Sequence, residues 1–169
     1  SGRLDTAKRA LELFFQTNPA FAMQIANELV ILNEERKEMT KEGVEAAVRF
    51  YEENDCQKDD VLVIYLPEVH ESIAGIIAGR IRERYYKPTF VLTKVEDGVK
   101  GSGRSTEEYS MYEEMCKCQE LFTKFGGHPM AAGLSLSEED VSLFREKINE
   151  LSSLSEMDKR QKVRIDVPM

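Results

Sequence analysis

Two short segments concentrate the side chains that could bind a phosphate ester. The first, residues 101–105 (GSGRS), places two glycines, two hydroxyls and a guanidinium within five residues. A turn of this composition can present backbone N–H groups and a forked cation to a phosphate. The spacing matches no defined phosphate loop, and a flexible hairpin end with a surface arginine has the same composition. We interpret the segment as a candidate anion site, with contacts from Ser102, Gly103, Arg104 and Ser105.

The second segment, residues 125–133 (FGGHPMAAG), holds a histidine between a glycine pair and a run of small residues. Gly126 and Gly127 carry no Cβ, so a ligand or another chain can approach the backbone closely. We therefore expect His128 to project from a bend into a shaped concavity. No carboxylate motif adjoins it, so the sequence does not assign it general-base chemistry.

A second histidine, His70, follows a predicted strand and precedes a predicted helix. It can bind an anion, act as an acid or base, or simply cap the helix. Strand ends are where α/β folds place ligands, so we expect His70 and the two segments above to line one edge of a sheet. Two histidines and three cysteines at these spacings match no zinc pattern, and we predict no metal bound by the chain itself.

The charge is uneven along the 169 residues. The net charge of −8 argues against a protein that coats nucleic acid through general positive charge. Residues 72–105 nevertheless carry 7 Lys and Arg against 3 Asp and Glu, a local balance of +4 that includes Arg80. A solvated charged surface would look the same. The absence of an eighteen-residue apolar run or a signal-peptide pattern predicts no membrane association and a cytoplasmic location.

Helices are expected in the N-terminal third of the chain. Residues 3–15 have one apolar stripe, and Asn18 before Pro19 is a helix cap followed by a first-turn proline. The long helix that starts there is charged over residues 34–42, and Gly43 is a point at which it can kink. A long helix with a polar middle is typical of a connector between two bodies.

Strands and helices alternate in the remainder. A continuous apolar run at 61–66, a helix at 72–86 and a strand at 89–95 predict a right-handed parallel crossover. A third strand is expected at 99–104, and residues 163–167 alternate like the first strand of a further unit. The predicted fold class is therefore α/β, with a small mixed, partly parallel sheet flanked by helices and preceded by a long connector helix.

Three more elements follow the third strand. The apolar spacing predicts a helix over residues 110–124, with Ser105 and Glu108 as its capping box. A short strand at 133–136 comes next, and Ser137 caps a final helix.

Three motifs together resemble a known family. HESIAGIIAGRIRERYYKPTFVL (residues 70–92), GSGRS and FGGHPMAAGLS (residues 125–135), in this order, resemble the DHH-associated accessory domain of the RecJ single-stranded-DNA exonuclease family. The flanking sequences agree with that family as well. By this resemblance the chain divides into the end of a catalytic DHH domain (1–16), a connector helix (17–54), the substrate-binding accessory domain (55–152), and a linker with the first strand of a following domain (153–169).

The resemblance implies a two-lobed phosphodiesterase active in DNA repair and recombination. Single-stranded DNA runs between the accessory domain and a catalytic DHH domain of the same chain, which holds Mn²⁺ or Mg²⁺. His128, with Gly126 and Gly127, corresponds to the catalytic element facing the scissile bond. The other residues assigned to substrate binding are Ser102, Gly103, Arg104, Ser105, His70, Arg3 and Arg80.

The DHH triplet and the aspartate-rich metal motifs are absent from the sequence. We therefore expect the full-length parent to be a 5′-to-3′ exonuclease and this chain alone to be inactive. Two alternatives stay open: the corresponding half of an oligoribonuclease or nucleotide phosphodiesterase of the same superfamily, and a non-catalytic nucleic-acid-binding module. The sequence does not indicate whether the protein is a monomer or an oligomer.

Overall fold

The computed structural model describes residues 7–155 and 157–160. A five-stranded mixed sheet forms the centre of the molecule, with helices on both of its faces. The helices are α1 Ala7–Phe15, α2 Pro19–Glu53, α3 Glu71–Tyr85, α4 Met111–Cys116 and α5 Val141–Glu150. The strands are β1 Leu62–Tyr65, β2 Thr89–Val95, β3 Gly98–Arg104, β4 Phe122–His128 and β5 Ala131–Leu136. The predicted fold class is confirmed, including the partly parallel sheet and the long helix before it.

The long helix α2 begins where the sequence predicts. The Asn18 side chain accepts a hydrogen bond from the Ala20 N–H at 2.9 Å, and Pro19 occupies the first turn. The helix is continuous through Gly43, where a Cβ would lie 2.5 Å from Ile77 Cδ1 of α3. The glycine is therefore needed for close packing of α2 on α3. Neither α2, despite its 35 residues, nor any other described helix contains an apolar stretch able to cross a bilayer.

The strand order is β1-β2-β3-β5-β4. As predicted, β1 and β2 are parallel and α3 connects them. All other neighbouring strands pair antiparallel. Strand β3 lies between β2 and β5, and β4 is an edge strand of the sheet.

Each face of the sheet has its own apolar core. On one face α3 packs on β2 and β3, with Ile73, Ile77 and Ile81 in its core, and α2 packs against α3 and β1. On the other face α4 and α5 cover β2, β3 and β5, and Phe144 of α5 meets Phe90 of β2 edge to face at 5.2 Å. On the α3 face, β5 and β4 lie beyond α3, and Lys124, His128 and Gly133 are exposed there in the described part of the chain.

The predicted helix over residues 110–124 is wrong in its second half. Helix α4 ends at Cys116, and Phe122–His128 forms strand β4. A spacing of three residues fits a helix and would place Phe122 and Phe125 on opposite faces of a regular strand. The register shift between Phe122 and Lys124 brings both side chains to the same core. Pairing with β5 decides the matter, since it satisfies the backbone of residues 122–128, which include two glycines that are unfavourable in a helix.

Candidate nucleic-acid interface

The accessible part of the α3-side sheet face consists of β5 and β4, together with the half-accessible side chains of β3 beside α3. Residues that pair directly across neighbouring strands share a face, and alternate residues along a strand do too. The register therefore aligns three rows on this surface, which we call the open face. Its rows are Arg104–Ala131–His128, Ser102–Gly133–Gly126 and Lys100–Ser135–Lys124.

The middle of the open face is nearly free of side chains. A Cβ built at Gly126 would have no heavy atom within 4 Å, and one at Gly133 would meet only the Gly101 carbonyl oxygen, at 3.8 Å. Ala131 adds a single methyl group. The result is a shallow surface with cationic side chains at its two ends: Arg104 in the first row, Lys100 and Lys124 in the last.

A cavity of about 310 Å³ lies over the second and third rows. Its lining includes Ser102, Lys100 and Lys124, together with Glu71 at the start of α3. Arg104 and His128 lie beyond this lining, in the first row. Lys100 Nζ is 2.6 Å from Glu71 Oε2, and both side chains are about half exposed. An exposed ion pair of this kind is weak, so an incoming phosphate can compete for the lysine.

The GSGRS segment largely belongs to the predicted third strand, and the phosphate-binding turn suggested for it does not form. Residues 101–104 lie inside β3, and their backbone groups pair with β2 on one side and β5 on the other. The backbone N–H groups are therefore committed to the sheet and do not form a phosphate cradle. Gly101 and Gly103 point toward the α4–α5 core, and only Ser102 and Arg104 contribute side chains to the open face.

Arg104 lies at the boundary between β3 and α3. Its Nη1 donates to the Gly103 carbonyl oxygen at 2.7 Å, and its guanidinium lies over Gly75 of α3. The side chain is half-buried, so its orientation is set by the protein while part of it stays accessible. Arg104 is thus a fixed cation at one end of the open face.

Ser105 has a structural role. It is buried, its hydroxyl donates to the Tyr109 carbonyl oxygen, and its N–H donates to the Met130 carbonyl oxygen at 2.9 Å. The predicted capping box with Glu108 is wrong, because α4 begins only at Met111. Ser105 instead ties the end of β3 to the β4–β5 turn.

His128 is the last residue of β4 and is exposed. The predicted bend is a hairpin in which only Pro129 and Met130 lie between the two strands. The Met111 N–H donates to the Pro129 carbonyl oxygen at 2.9 Å, which anchors this turn to α4. His128 shares a row with Arg104 at two strand spacings, about 10 Å. Within the described part of the chain, no group forms a hydrogen bond with its imidazole.

His70 lies at the opposite end of the strands from Arg104 and His128, where it lines a cavity with Lys100, Lys124 and Ser135 of the third row. It is the N-cap of α3, and its Nδ1 accepts a hydrogen bond from the Ser72 N–H at 3.2 Å. The prediction that all three segments line one edge is therefore wrong. The physical reason is strand direction. Because β3 and β4 run antiparallel to β1 and β2, Arg104 and His128 lie at the end of the sheet where β1 begins, whereas His70 follows the end of β1.

One predicted contact, Arg80, is not on the open face. Arg80 lies about 140° around the α3 axis from Gly75. Its side chain is 67% exposed and pairs with Glu83 at 3.6 Å. Arg3 lies outside the described residues.

Sequence reasoning missed Lys124 and Gly75. Lys124, Gly126 and His128 alternate along β4, and this period-two signal is visible only once the segment is read as a strand. Gly75 appears in the sequence as an ordinary small residue on a packed helix; its contact with Arg104 depends on the register of β3.

The residues of the open face do not form a metal site. Among residues 7–155 and 157–160, no group of three or more His, Cys, Asp or Glu side chains is placed to hold a metal ion. His70 and His128 cannot bind one metal ion together, because they lie at opposite ends of the strands. The arrangement is suited to binding an anion through cations and hydroxyls.

Sequence comparison identifies the domain family of the chain and several of its relatives. The model of the DHHA1 domain family matches residues 58–153. The chain is 37% identical over 159 residues to the single-stranded-DNA-specific exonuclease RecJ of Escherichia coli, covering 89% of this chain and 28% of the relative. It is 32% identical over 153 residues to RecJ of Bacillus subtilis, covering 89% and 19%. The chain thus spans about a fifth to just over a quarter of the length of these relatives.

Structural comparison agrees. The crystal structure of Thermus thermophilus RecJ in complex with Mg²⁺ matches with a TM-score of 0.77 and 28% identity, over 88% of this chain and 23% of that one. The Mn²⁺ complex from the same organism matches with a TM-score of 0.75, over 88% and 22%. Because the family model covers more than half of the sequence, the chain belongs to the DHHA1 domain family, and it corresponds to the DHHA1-containing part of RecJ exonucleases.

Proposed function

We propose that this chain is the substrate-binding part of a longer 5′-to-3′ single-stranded-DNA exonuclease, and that its open face binds the DNA backbone. The observation that carries the proposal is the register of β3, β5 and β4. It places Arg104, Ser102 and Lys100 on the same surface as His128, Gly126 and Lys124, with only small residues or a serine between the two sets. The relatives named as single-stranded-DNA-specific exonucleases support the choice of substrate.

The dimensions of the open face suit a short stretch of DNA backbone. Successive rows are about 7 Å apart, so the first and third rows span about 14 Å. Cations at both ends supply the electrostatic attraction on which phosphate binding depends. The flat middle lets sugar and backbone approach closely. The positive charge is local, which explains how an acidic chain of net charge −8 can still bind a polyanion.

Within this proposal the first row is the end of the DNA path. Arg104 in this row and Ser102 in the second row offer a guanidinium and a hydroxyl to the 5′ phosphate, and His128 faces the bond to be cleaved. Divalent metals belong to the upstream catalytic domain of the parent protein, since the described residues offer no metal cluster. This fits the Mg²⁺ and Mn²⁺ found in the related RecJ structures.

The N-terminal helices provide a surface for that catalytic domain. Phe14 and Phe15 of α1 are more than 80% exposed, and Phe21 of α2 is 57% exposed. Clusters of large exposed apolar side chains usually mark a contact with another protein surface. We propose that the catalytic domain of the same chain covers these helices.

The direct test measures binding of the 169-residue chain to a 5′-phosphorylated oligodeoxynucleotide by fluorescence anisotropy. Arg104→Ala should weaken binding about tenfold or more at low salt, because a charge-assisted hydrogen bond to phosphate is lost. Arg84→Ala is the matched control. It removes the same charge from an exposed position about 180° around α3 from Gly75, and binding should change little. Equal losses in both variants would contradict binding at the open face.

A second test concerns hydrolysis. The 169-residue chain should release no nucleotides from single-stranded DNA with Mn²⁺, whereas the parent carrying the catalytic domain should degrade it from the 5′ end. In the parent, His128→Ala should lower kcat far more than it raises KM, because the imidazole acts at the cleavage step. Preference for very short oligonucleotides would favour a small-substrate phosphodiesterase. An inactive parent would favour a non-catalytic binding module.

A further inference from the structure

We propose that Gly75 of α3 is a positioning residue for Arg104, and that its missing side chain creates the space in which the guanidinium is held. This inference rests on the proposed role of Arg104 in binding phosphate. It assigns part of the site to a helix that contributes no charge of its own at this point. Gly75 touches no substrate in this proposal and acts only through Arg104.

The contact between the two residues is direct. A Cβ built at Gly75 would lie 2.8 Å from Arg104 Nη2, 3.4 Å from Cζ and 3.6 Å from Nη1. All three nearest atoms belong to the same guanidinium, so the whole planar group covers this part of the helix. Any side chain at position 75 would have to displace it.

A second contact holds the guanidinium from the strand side. Arg104 Nη1 donates to the Gly103 carbonyl oxygen at 2.7 Å, within β3. The group is thus placed between the α3 backbone and the β3 backbone. Arginine has a long flexible side chain, and a guanidinium already fixed in direction loses less freedom when it binds a phosphate. Gly75 therefore contributes to affinity by limiting where the cation can lie.

The neighbouring Gly79 offers a matched control. It lies one turn further along α3, about 40° around the axis from Gly75, and a Cβ there would have no heavy atom within 4 Å. Alanine favours helix over glycine equally at both positions. The two substitutions therefore differ mainly in whether Arg104 is displaced. Because the displaced atoms are the far end of a flexible side chain, Gly75→Ala should not unfold the protein.

The experiment compares Gly75→Ala, Gly79→Ala, Arg104→Ala and the double variant Gly75→Ala/Arg104→Ala in the 169-residue chain. Affinity for a 5′-phosphorylated oligodeoxynucleotide is measured by anisotropy and Tm by circular dichroism. Gly75→Ala should weaken binding about three- to tenfold, less than Arg104→Ala, with an unchanged or raised Tm. The Gly79→Ala variant should bind with the same affinity as the unsubstituted 169-residue chain. In the Arg104→Ala background, Gly75→Ala should have no further effect, since the group that it displaces is gone.

The outcomes separate the inference from the function on which it rests. If Arg104→Ala weakens binding and Gly75→Ala does not, the positioning role is wrong and the phosphate-binding role stands. If Arg104→Ala has no effect, both are wrong. A lowered Tm for Gly75→Ala would also overturn the inference, because the clash would then fall on the helix packing. Equal losses for Gly75→Ala and Gly79→Ala would point to a general change in α3.

Discussion

Residues 101–104 of strand β3 face two different environments: two of them face the α4–α5 core, and the other two lie on the open face. On the α4–α5 face, Gly101 and Gly103 of β3 pair directly with Leu92 and Phe90 of β2, whose side chains fill the space beside them. On the α3 face, the alternating residues Ser102 and Arg104 remain half-accessible. The glycines are thus required by packing, and the serine and arginine are the residues left for chemistry. A motif that looks uniform in the sequence is divided between core and surface by the pleat of the strand.

The two faces also use small residues for different reasons. Under α4 and α5, a Cβ at Gly103 would lie 2.7 Å from Phe90 Cε1, so the absence of a side chain permits close packing. On the open face, Gly126 faces empty space, and the absence of a side chain keeps the surface flat. Substitutions on the first face should therefore change stability, and substitutions on the second should change ligand affinity.

The largest effect is expected for Phe144→Ala on the covered face. Phe144 is fully buried and packs edge to face on both Phe90 and Phe122. Truncation leaves a cavity and should lower the free energy of unfolding by about 3–5 kcal/mol. Denaturant titration of the 169-residue chain measures this. A loss below about 1 kcal/mol would mean that α5 contributes little to the core.

A smaller loss is expected for Gly103→Ala. The new methyl group would overlap Met111 Sδ and the Phe90 ring, and overpacking of this kind costs about 1–3 kcal/mol. Gly126→Ala makes the same chemical change in β4 where nothing lies within 4 Å, and stability should change by less than about 0.5 kcal/mol. Similar losses in the two variants would remove the distinction between the faces.

The smallest effect on stability is expected for Lys124→Ala on the open face, within about 0.5 kcal/mol. Its effect should appear in binding: the slope of log K against log salt should decrease by about 0.7, the value for one phosphate contact with single-stranded DNA. Lys58→Ala is the matched control, since Lys58 is exposed and precedes β1, the strand at the opposite side of the sheet from β4. A slope that stays unchanged for Lys124→Ala would exclude this lysine from the DNA path.

Local patterns predicted the elements that local forces control. Asn18 and Pro19 marked the start of α2, and the apolar run at 61–66 marked the doubly covered strand β1. The apolar spacing of α3 identified its buried residues Ile73, Ile77 and Ile81. Capping hydrogen bonds and apolar periodicity act over a few residues, so a sequence window contains the whole signal.

The sequence named candidate site residues but did not predict how they are arranged. The sequence singled out Ser102, Arg104, Gly126 and His128 without showing that they share one sheet face. It grouped His70 with them at one end of the strands, whereas the direction of the strands puts His70 at the opposite end from Arg104 and His128. It also missed Lys124, because the choice of strand over helix at 122–128 is made by pairing with β5.

The sequence by itself determined which side chains have the chemistry to contact a phosphate, most of the helices and strands, and the resemblance to the RecJ family. The tertiary structure decided which of those residues face the same way. Strand direction and register depend on contacts between segments far apart in the chain, and a change of one residue in register would turn Arg104 toward the core. The space for its guanidinium over Gly75 is likewise decided by how α3 packs on β3.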